Sequence, residues 1–193
     1  MARPQEFDTA QALSEAMHVF WRKGYEATSL ADILAATGLS KSSLYAAFGD
    51  KRSLFLAALS AYQAERMAYT EQALDDGRPA RQSIESFFRD LVAHIADPAH
   101  SAGCMTANEA VELAPRDGDV QRLVAEDFQA LDDAFTRTIA RGQADGSIAS
   151  AEDPRKLARF LVVGFQGLQV MARAQSDRPR LDDTVAVMMA ALD

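Results

Sequence analysis

The chain has 193 residues, 48% of them hydrophobic and 25% charged, with one cysteine and a formal net charge of −8 at pH 7. That length buries a substantial core in one or two small domains, and the composition is that of a soluble globular protein. A single cysteine excludes an internal disulfide framework, as expected in a reducing cytoplasm, and no stretch is an uncharged membrane span: Phe160 to Met171 is short and flanked by Arg159 and Arg173.

The first residues, Met1 to Asp8, lack the apolar core of a signal peptide. Six prolines and no alternating Val/Ile/Thr runs predict an all-α fold. Asp8 to Lys23 reads as an amphipathic helix with Leu13, Met17, Phe20 and Trp21 on one stripe, stopped by Gly24. Ser29 is placed to cap the next helix, and Asp32 three residues later gives a capping-box spacing. Ile33 and Leu34 supply its buried face, and Thr37-Gly38-Leu39 makes a tight turn. Ser40 caps a second short helix whose Leu44 and Phe48 point inward at i, i+4 spacing. Lys41, Ser42, Ser43, Tyr45 and Ala46 are left outside, with Lys51 opening the following helix. The spacing alone fits a recognition helix for a DNA major groove and an ordinary helical hairpin equally well.

The order W-R-K-G-Y-E-A-T-S-L, then A-D-I-L-A-A-T-G-L-S-K-S-S-L-Y-A-A-F-G-D-K, resembles the N-terminal domain of TetR/AcrR-family transcriptional regulators. The match runs without a gap from about Phe7 to Ala61. The resemblance implies about nine helices, with residues 1–50 as a helix-turn-helix head and 51–193 as a ligand-binding and dimerisation body. It implies a cytoplasmic homodimer that binds a palindromic double-stranded operator, acts as a repressor and is released by a small-molecule effector. By the same resemblance Ser29, Lys41, Tyr45 and Lys51 reach phosphates, while Ser42, Ser43 and Ala46 face base edges. Many relatives carry bulky aromatic or His side chains where this chain has Ala46 and Ala47, so DNA shape and water are expected to carry more of the readout. Arg3 is either a DNA-contacting arm or part of a loose terminus.

Residues 1–62 carry six Lys/Arg and six Asp/Glu, so all of the −8 lies downstream. An acidic body behind a neutral head repels DNA except at the head, which permits DNA binding without requiring it.

Downstream, helices are expected over 51–75, 80–96, 103–114, 119–145, 154–175 and 181–192. The breaks are Asp76-Gly77-Arg78-Pro79, Asp97-Pro98 and Pro115, and Asp153-Pro154 is a start signal. The last two long helices of the family commonly form the dimer interface, which assigns Phe160, Gly164, Gly167, Leu168, Val185, Val187, Met188 and Leu192 to it. Two glycines in one helix fit a close backbone approach, either to a partner or to the chain's own core.

The segment S-A-G-C-M-T-A-N-E-A-V-E-L-A-P resembles a subgroup whose members respond to electrophiles, small acids or copper. Cys104 is thus either a reactive sensor at a helix start or a small buried hydrophobe. Phe87, Phe128, Phe165 and Met171 are read first as core and second as effector-pocket lining, and Met105 beside Cys104 is assigned to the same pocket. His94, His100, Cys104 and Met105 are soft or borderline donors, but their spacing matches no compact metal motif, and no metal or cofactor is expected. No phosphate loop, nucleophile elbow or H-E-x-x-H pattern suggests an enzyme. A helical protein-binding adaptor without DNA binding is the alternative reading.

Overall fold

Most of the helices begin at a residue that occupies their free N–H groups. Asp8 accepts from Ala10 and Gln11, Ser40 from Ser43, Asp50 from Ser53, Asp117 from Asp119 and Val120, and Asp153 from Arg155 and Lys156. Ser29 and Asp32 form the reciprocal capping box that their spacing predicts. The computed structural model describes residues 8–97, 102–174 and 177–193. Among them the helices are α1 (Thr9–Lys23), α2 (Leu30–Thr37), α3 (Lys41–Phe48), α4 (Lys51–Leu74), α5 (Ala80–Ile95), α6 (Met105–Glu112), α7 (Gly118–Asp145), α8 (Pro154–Arg173) and α9 (Arg178–Ala190). No strand occurs among the described residues, and no described helix is long and apolar enough to cross a membrane.

Boundaries shift at three places. The helix expected from residue 103 starts at Met105, because Gly103 takes φ 71 and Cys104 is extended as the N-cap. α8 stops at Arg173, short of the expected 175. α9 starts three residues earlier than expected, with Pro179 in its first turn. Leu192 lies beyond the end of α9, where its carbonyl accepts from Ala149 and Ser150.

Two cores stack along the molecule. The lower one gathers Met17 and Phe20 of α1, Ile33 of α2, Leu44 of α3, Leu54 and Phe55 of α4, Met105 of α6 and Val120 of α7. Phe20 meets Phe55 edge-on at 5.2 Å, and Tyr25 lies 4.8 Å from the same ring. Each such buried side chain contributes about 1.5–3 kcal/mol. The upper core joins Phe87 and Phe88 of α5, Leu131 and Phe135 of α7, Leu161, Phe165 and Leu168 of α8, and Met188 of α9. α4 runs through both, from Leu54 in the lower core to Leu74 in the upper. The head's core therefore continues past Asp50 along α4 and does not end at residue 50.

Candidate nucleic-acid interface and cavity

On α3 only Leu44 is buried. Ser43 and Phe48 are half-buried, and Lys41, Ser42, Tyr45, Ala46 and Ala47 face solvent. Gly38 ends α2 at φ 67, where a Cβ would be strained, and this turn sets the angle between the two helices. Ser40 Oγ accepts from the Ser43 N–H at 3.1 Å and lies 2.9 Å from both the Ser42 and Ser43 hydroxyls. Hydroxyls, the positive end of the α3 dipole and Lys41 thus converge at one exposed helix start, an arrangement suited to phosphate. Lys41 Nζ sits 5.5 Å from the Tyr45 ring centroid.

Lys51 is half-buried. Its ammonium donates to the Tyr25 carbonyl at 2.7 Å and lies 4.3 Å from the centroid of that ring. That bond uses one of the three ammonium donors and anchors the charge at the start of α4. Ser29 is more constrained than its expected phosphate contact implies. Its hydroxyl accepts from the Asp32 N–H at 3.1 Å and donates to the Asp32 carboxylate at 2.7 Å. Lys23, a neighbouring basic residue, donates to Asp32 at 2.6 Å. That bond, followed by those from Ser29, holds the Asp32 carboxyl well below the usual carboxylate range.

The head is tied to the body by polar contacts between residues far apart in sequence. Trp21 Nε1 donates to the Gly103 carbonyl at 2.8 Å, the Glu26 N–H to Glu112 at 2.8 Å, and Arg116 to Glu26 at 3.0 Å. Arg52 bridges Asp117 at 3.0 Å and Asp119 at 2.7 Å. Exposed ion pairs such as these contribute about 0–1 kcal/mol each. Gly24 stops α1, and it also leaves the space that the Glu112 carboxylate fills, since a Cβ there would collide with it. One turn before Glu112, Glu109 is fully buried and neither of its carboxylate oxygens has a hydrogen-bond partner among the described residues. Burial first, and the Glu112 charge second, push its carboxyl up to about 8 against the pull of Arg173.

A cavity of about 500 Å³ opens between head and body. α1 contributes Met17, His18 and Trp21; α4 contributes Tyr62, Glu65, Arg66, Tyr69 and Thr70. α5 adds Phe87, Asp90, Leu91, His94 and Ile95, and Gly103, Phe165 and Gln169 complete the wall. Of the residues expected to line a pocket, Phe87 and Phe165 do so. Met105 is fully buried in the lower core, Phe128 packs half-buried on that core, and Met171 packs on the upper one; these three are corrected from lining to packing. Cys104 is 1% exposed, one residue behind Gly103 in the wall.

Arg66 was not singled out from the sequence, and it organises the cavity floor. Its guanidinium is ion-paired with buried Asp127, lies 6.0 Å from the Phe165 ring centroid and places Nη1 3.5 Å from Cys104 Sγ. Arg66 Nε and Asp127 Oδ2 have no hydrogen-bond partner among the described residues. Burial raises the Asp127 carboxyl and Arg66 opposes it. The cation reaches the thiol from α4, thirty-eight residues upstream, where no local spacing announces it. No three His, Cys, Asp or Glu side chains among the described residues are grouped to hold a metal ion. His100 and Arg3 lie outside the described residues.

An apolar stripe on α8 faces outward. Phe160 is 46% exposed, Val163 72% and Val170 53%, with exposed Gly167 between them and Val187 of α9 beside them at 68%. Of the residues expected at a dimer face, Phe160 and Gly167 lie on this stripe and Val185 is half-buried against the upper core. Gly164, Leu168, Met188 and Leu192 are corrected, Leu192 being fully buried in the upper core. Leu168 and Met188 are buried in the upper core, and a Cβ on Gly164 would lie 2.6 Å from Met188 Sδ. The glycine thus serves the α8–α9 packing within the chain. Val187 was expected at this face, whereas Val163 and Val170 were missed.

A family model described as bacterial regulatory proteins, tetR family, matches residues 12–58, and one for the tetracyclin repressor-like C-terminal domain matches residues 80–188. The chain is 34% identical, over the whole of both proteins, to the uncharacterized HTH-type transcriptional regulator YezE of Bacillus subtilis (strain 168). It is 36% identical to the HTH-type transcriptional repressor ComR of Escherichia coli (strain K12), over 93% of this chain and 86% of that one. Among solved structures it superposes, with a TM-score of 0.88 and 33% identity over the full length of both, on a cysteine mutant of the regulator CifR complexed with 26-bp double-strand operator DNA. The reduced form of E. coli NemR shares the fold at a TM-score of 0.87 with 16% identity, over 95% of this chain and 96% of that one.

Proposed function

This chain belongs to the TetR family of bacterial regulatory proteins, and from that premise we propose that it is a homodimeric transcriptional repressor released from its operator by a small effector. The observation that carries this reading is the exposed face of α3, with its hydroxyl-lined start, in a domain that matches the family's reading head. Lys41, Tyr45 and Lys51 hold phosphates, while Ser42, Ser43 and Ala46 face base edges. Short hydroxyls and a methyl discriminate bases weakly, so groove shape supplies part of the specificity. Ser29 contributes by capping α2, with its backbone nearest the phosphate. The outward stripe of α8 and α9 pairs with its copy, which sets two heads about 34–36 Å apart on successive turns of DNA.

The effector occupies the cavity. Because α1 forms part of its wall, a ligand that displaces Trp21 from Gly103 moves the head directly. Thiol modification is a second route, favoured by the guanidinium 3.5 Å from Cys104 Sγ. An electron-poor alkene entering past Gly103 would form a bond from the Cys104 sulfur to one of its carbons as its C=C π bond breaks, the thiol proton passing by way of solvent to the neighbouring carbon.

Fluorescence anisotropy tests the reading on a duplex from the DNA upstream of the protein's own reading frame and on a scrambled duplex. The proposal expects salt-sensitive preference for the upstream duplex, and equal affinity for both refutes specific recognition there. Adding N-ethylmaleimide to the wild type and to Cys104→Ser separates the two routes. Release in the wild type alone supports the thiol route, and equal behaviour of both removes it.

A further inference from the structure

We propose that the cavity takes an organic cation, a compact aromatic amine or quaternary ammonium whose positive charge rests at the Glu65–Asp90 rim. The inference rests on reading this cavity as the effector site. Glu65 and Tyr69 are one turn apart on α4 and therefore share a face. Asp90 of α5 acts electrostatically on the same Tyr69, so both carboxylates flank one exposed aromatic at the opening. Neither carboxylate has an ion-pair partner among the described residues. Arg78, the other charge that interacts with Asp90, is itself paired with Asp76.

Deeper in, the wall is aromatic. Trp21 lies 4.9 Å from Tyr62, and Phe87 lies 5.7 Å from Phe165 and 6.4 Å from Tyr69, measured between ring centroids. Ring faces attract cations, and the Arg66 guanidinium near Phe165 already uses one in this way. An anion finds the opposite conditions. Arg66 is the only Lys or Arg in the wall among the described residues, and Asp127 behind it cancels its charge. The other two formal charges in the lining, Glu65 and Asp90, are both negative. The Arg66 Nε–H has no hydrogen-bond partner among the described residues, but the atom is sealed off on a side chain only 10% exposed, so it offers the ligand no donor. A volume of about 500 Å³ is ample for such a molecule.

The test uses three probes of similar size on the full chain: benzyltrimethylammonium, 3-phenylpropionate and 3-phenyl-1-propanol. Calorimetry measures binding, and so does the emission of Trp21, the chain's single tryptophan, which lines the cavity. The expected result is cation binding on the order of tenfold tighter than either other probe. That preference should shrink as salt is raised and disappear in the Glu65→Gln, Asp90→Asn double variant. Each single variant should lose part of it, and circular dichroism checks that the helices persist. Anion or alcohol binding as tight as the cation, no cation binding in the millimolar range, or an undiminished preference in the folded double variant would overturn the proposal. No DNA is present, so cation binding together with failure to bind any operator would sink the repressor reading and leave the ligand class standing.

Discussion

Glu109 makes the stability of this protein depend on pH in an unusual direction. An unfolded glutamate titrates near 4.5, whereas the buried carboxyl in the fold titrates near 8. Between those values the folded chain holds a proton that the unfolded chain has released, so unfolding free energy falls as pH rises. The stabilising contribution is complete below the unfolded value and is lost progressively up to about 8. At about 1.4 kcal/mol per unit, the change from pH 5 to pH 8 is about 3–4 kcal/mol, a large part of the stability of a domain of this size. Urea unfolding at pH 5, 6, 7, 8 and 9, at fixed protein concentration because dimerisation also stabilises, measures it. Glu109→Gln cannot ionise, so subtracting its stability profile from that of the wild type cancels the other titrating groups. The expected difference favours the wild type increasingly toward acid and levels off above pH 8. Parallel profiles would show that Glu109 keeps an ordinary pKa, through a water or a rearranged Arg173, and the reasoning from burial would fail.

Three further outcomes follow from other contacts. Asp127→Ala strands the Arg66 charge in a buried site and should cost about 3–5 kcal/mol, a fall in Tm of about 6–20 °C, while a combined Arg66→Met, Asp127→Leu variant recovers most of it. A melt within about 2 °C of the wild type after Asp127→Ala alone would contradict the pairing. Val163→Asp with Val170→Asp puts carboxylates on the exposed α8 stripe and should give a folded monomer by light scattering; a persistent dimer places the interface elsewhere. Lys51→Ala should weaken binding to all DNA sequences alike and lower the salt slope by about one, whereas an unchanged slope removes Lys51 from the phosphate contacts.

The parts of the fold that were legible in the sequence are those specified by neighbours in the chain. The Ser29–Asp32 capping box, the Gly38 turn, the Ser40 cap and the inward Leu44 follow from residues within four positions of each other. The outward residues of α3 were legible for the same reason. α8 was not, because it is apolar on two stripes. Phe160, Gly164, Leu168 and Met171 recur at one spacing, and Phe160, Val163, Gly167 and Val170 at another. Periodicity does not say which stripe meets the chain's own α9 and which meets solvent. Cavity residues depend on contacts between distant segments. Trp21 meets Gly103 and Arg66 meets Asp127 across more than sixty residues, and no local pattern encodes either pair. Met105 and Phe128 have the character of lining residues, and helix packing buried them instead.

The central claim, that this molecule reads DNA as a two-headed regulator, is tested most directly by selecting bound fragments from a sheared genomic pool and footprinting the enriched sequences. The account predicts a small set of fragments sharing a palindrome, protected over two half-sites one helical turn apart, with the protein bound as a dimer. Fragments recovered in proportion to their abundance, with no shared sequence and no footprint, would contradict it.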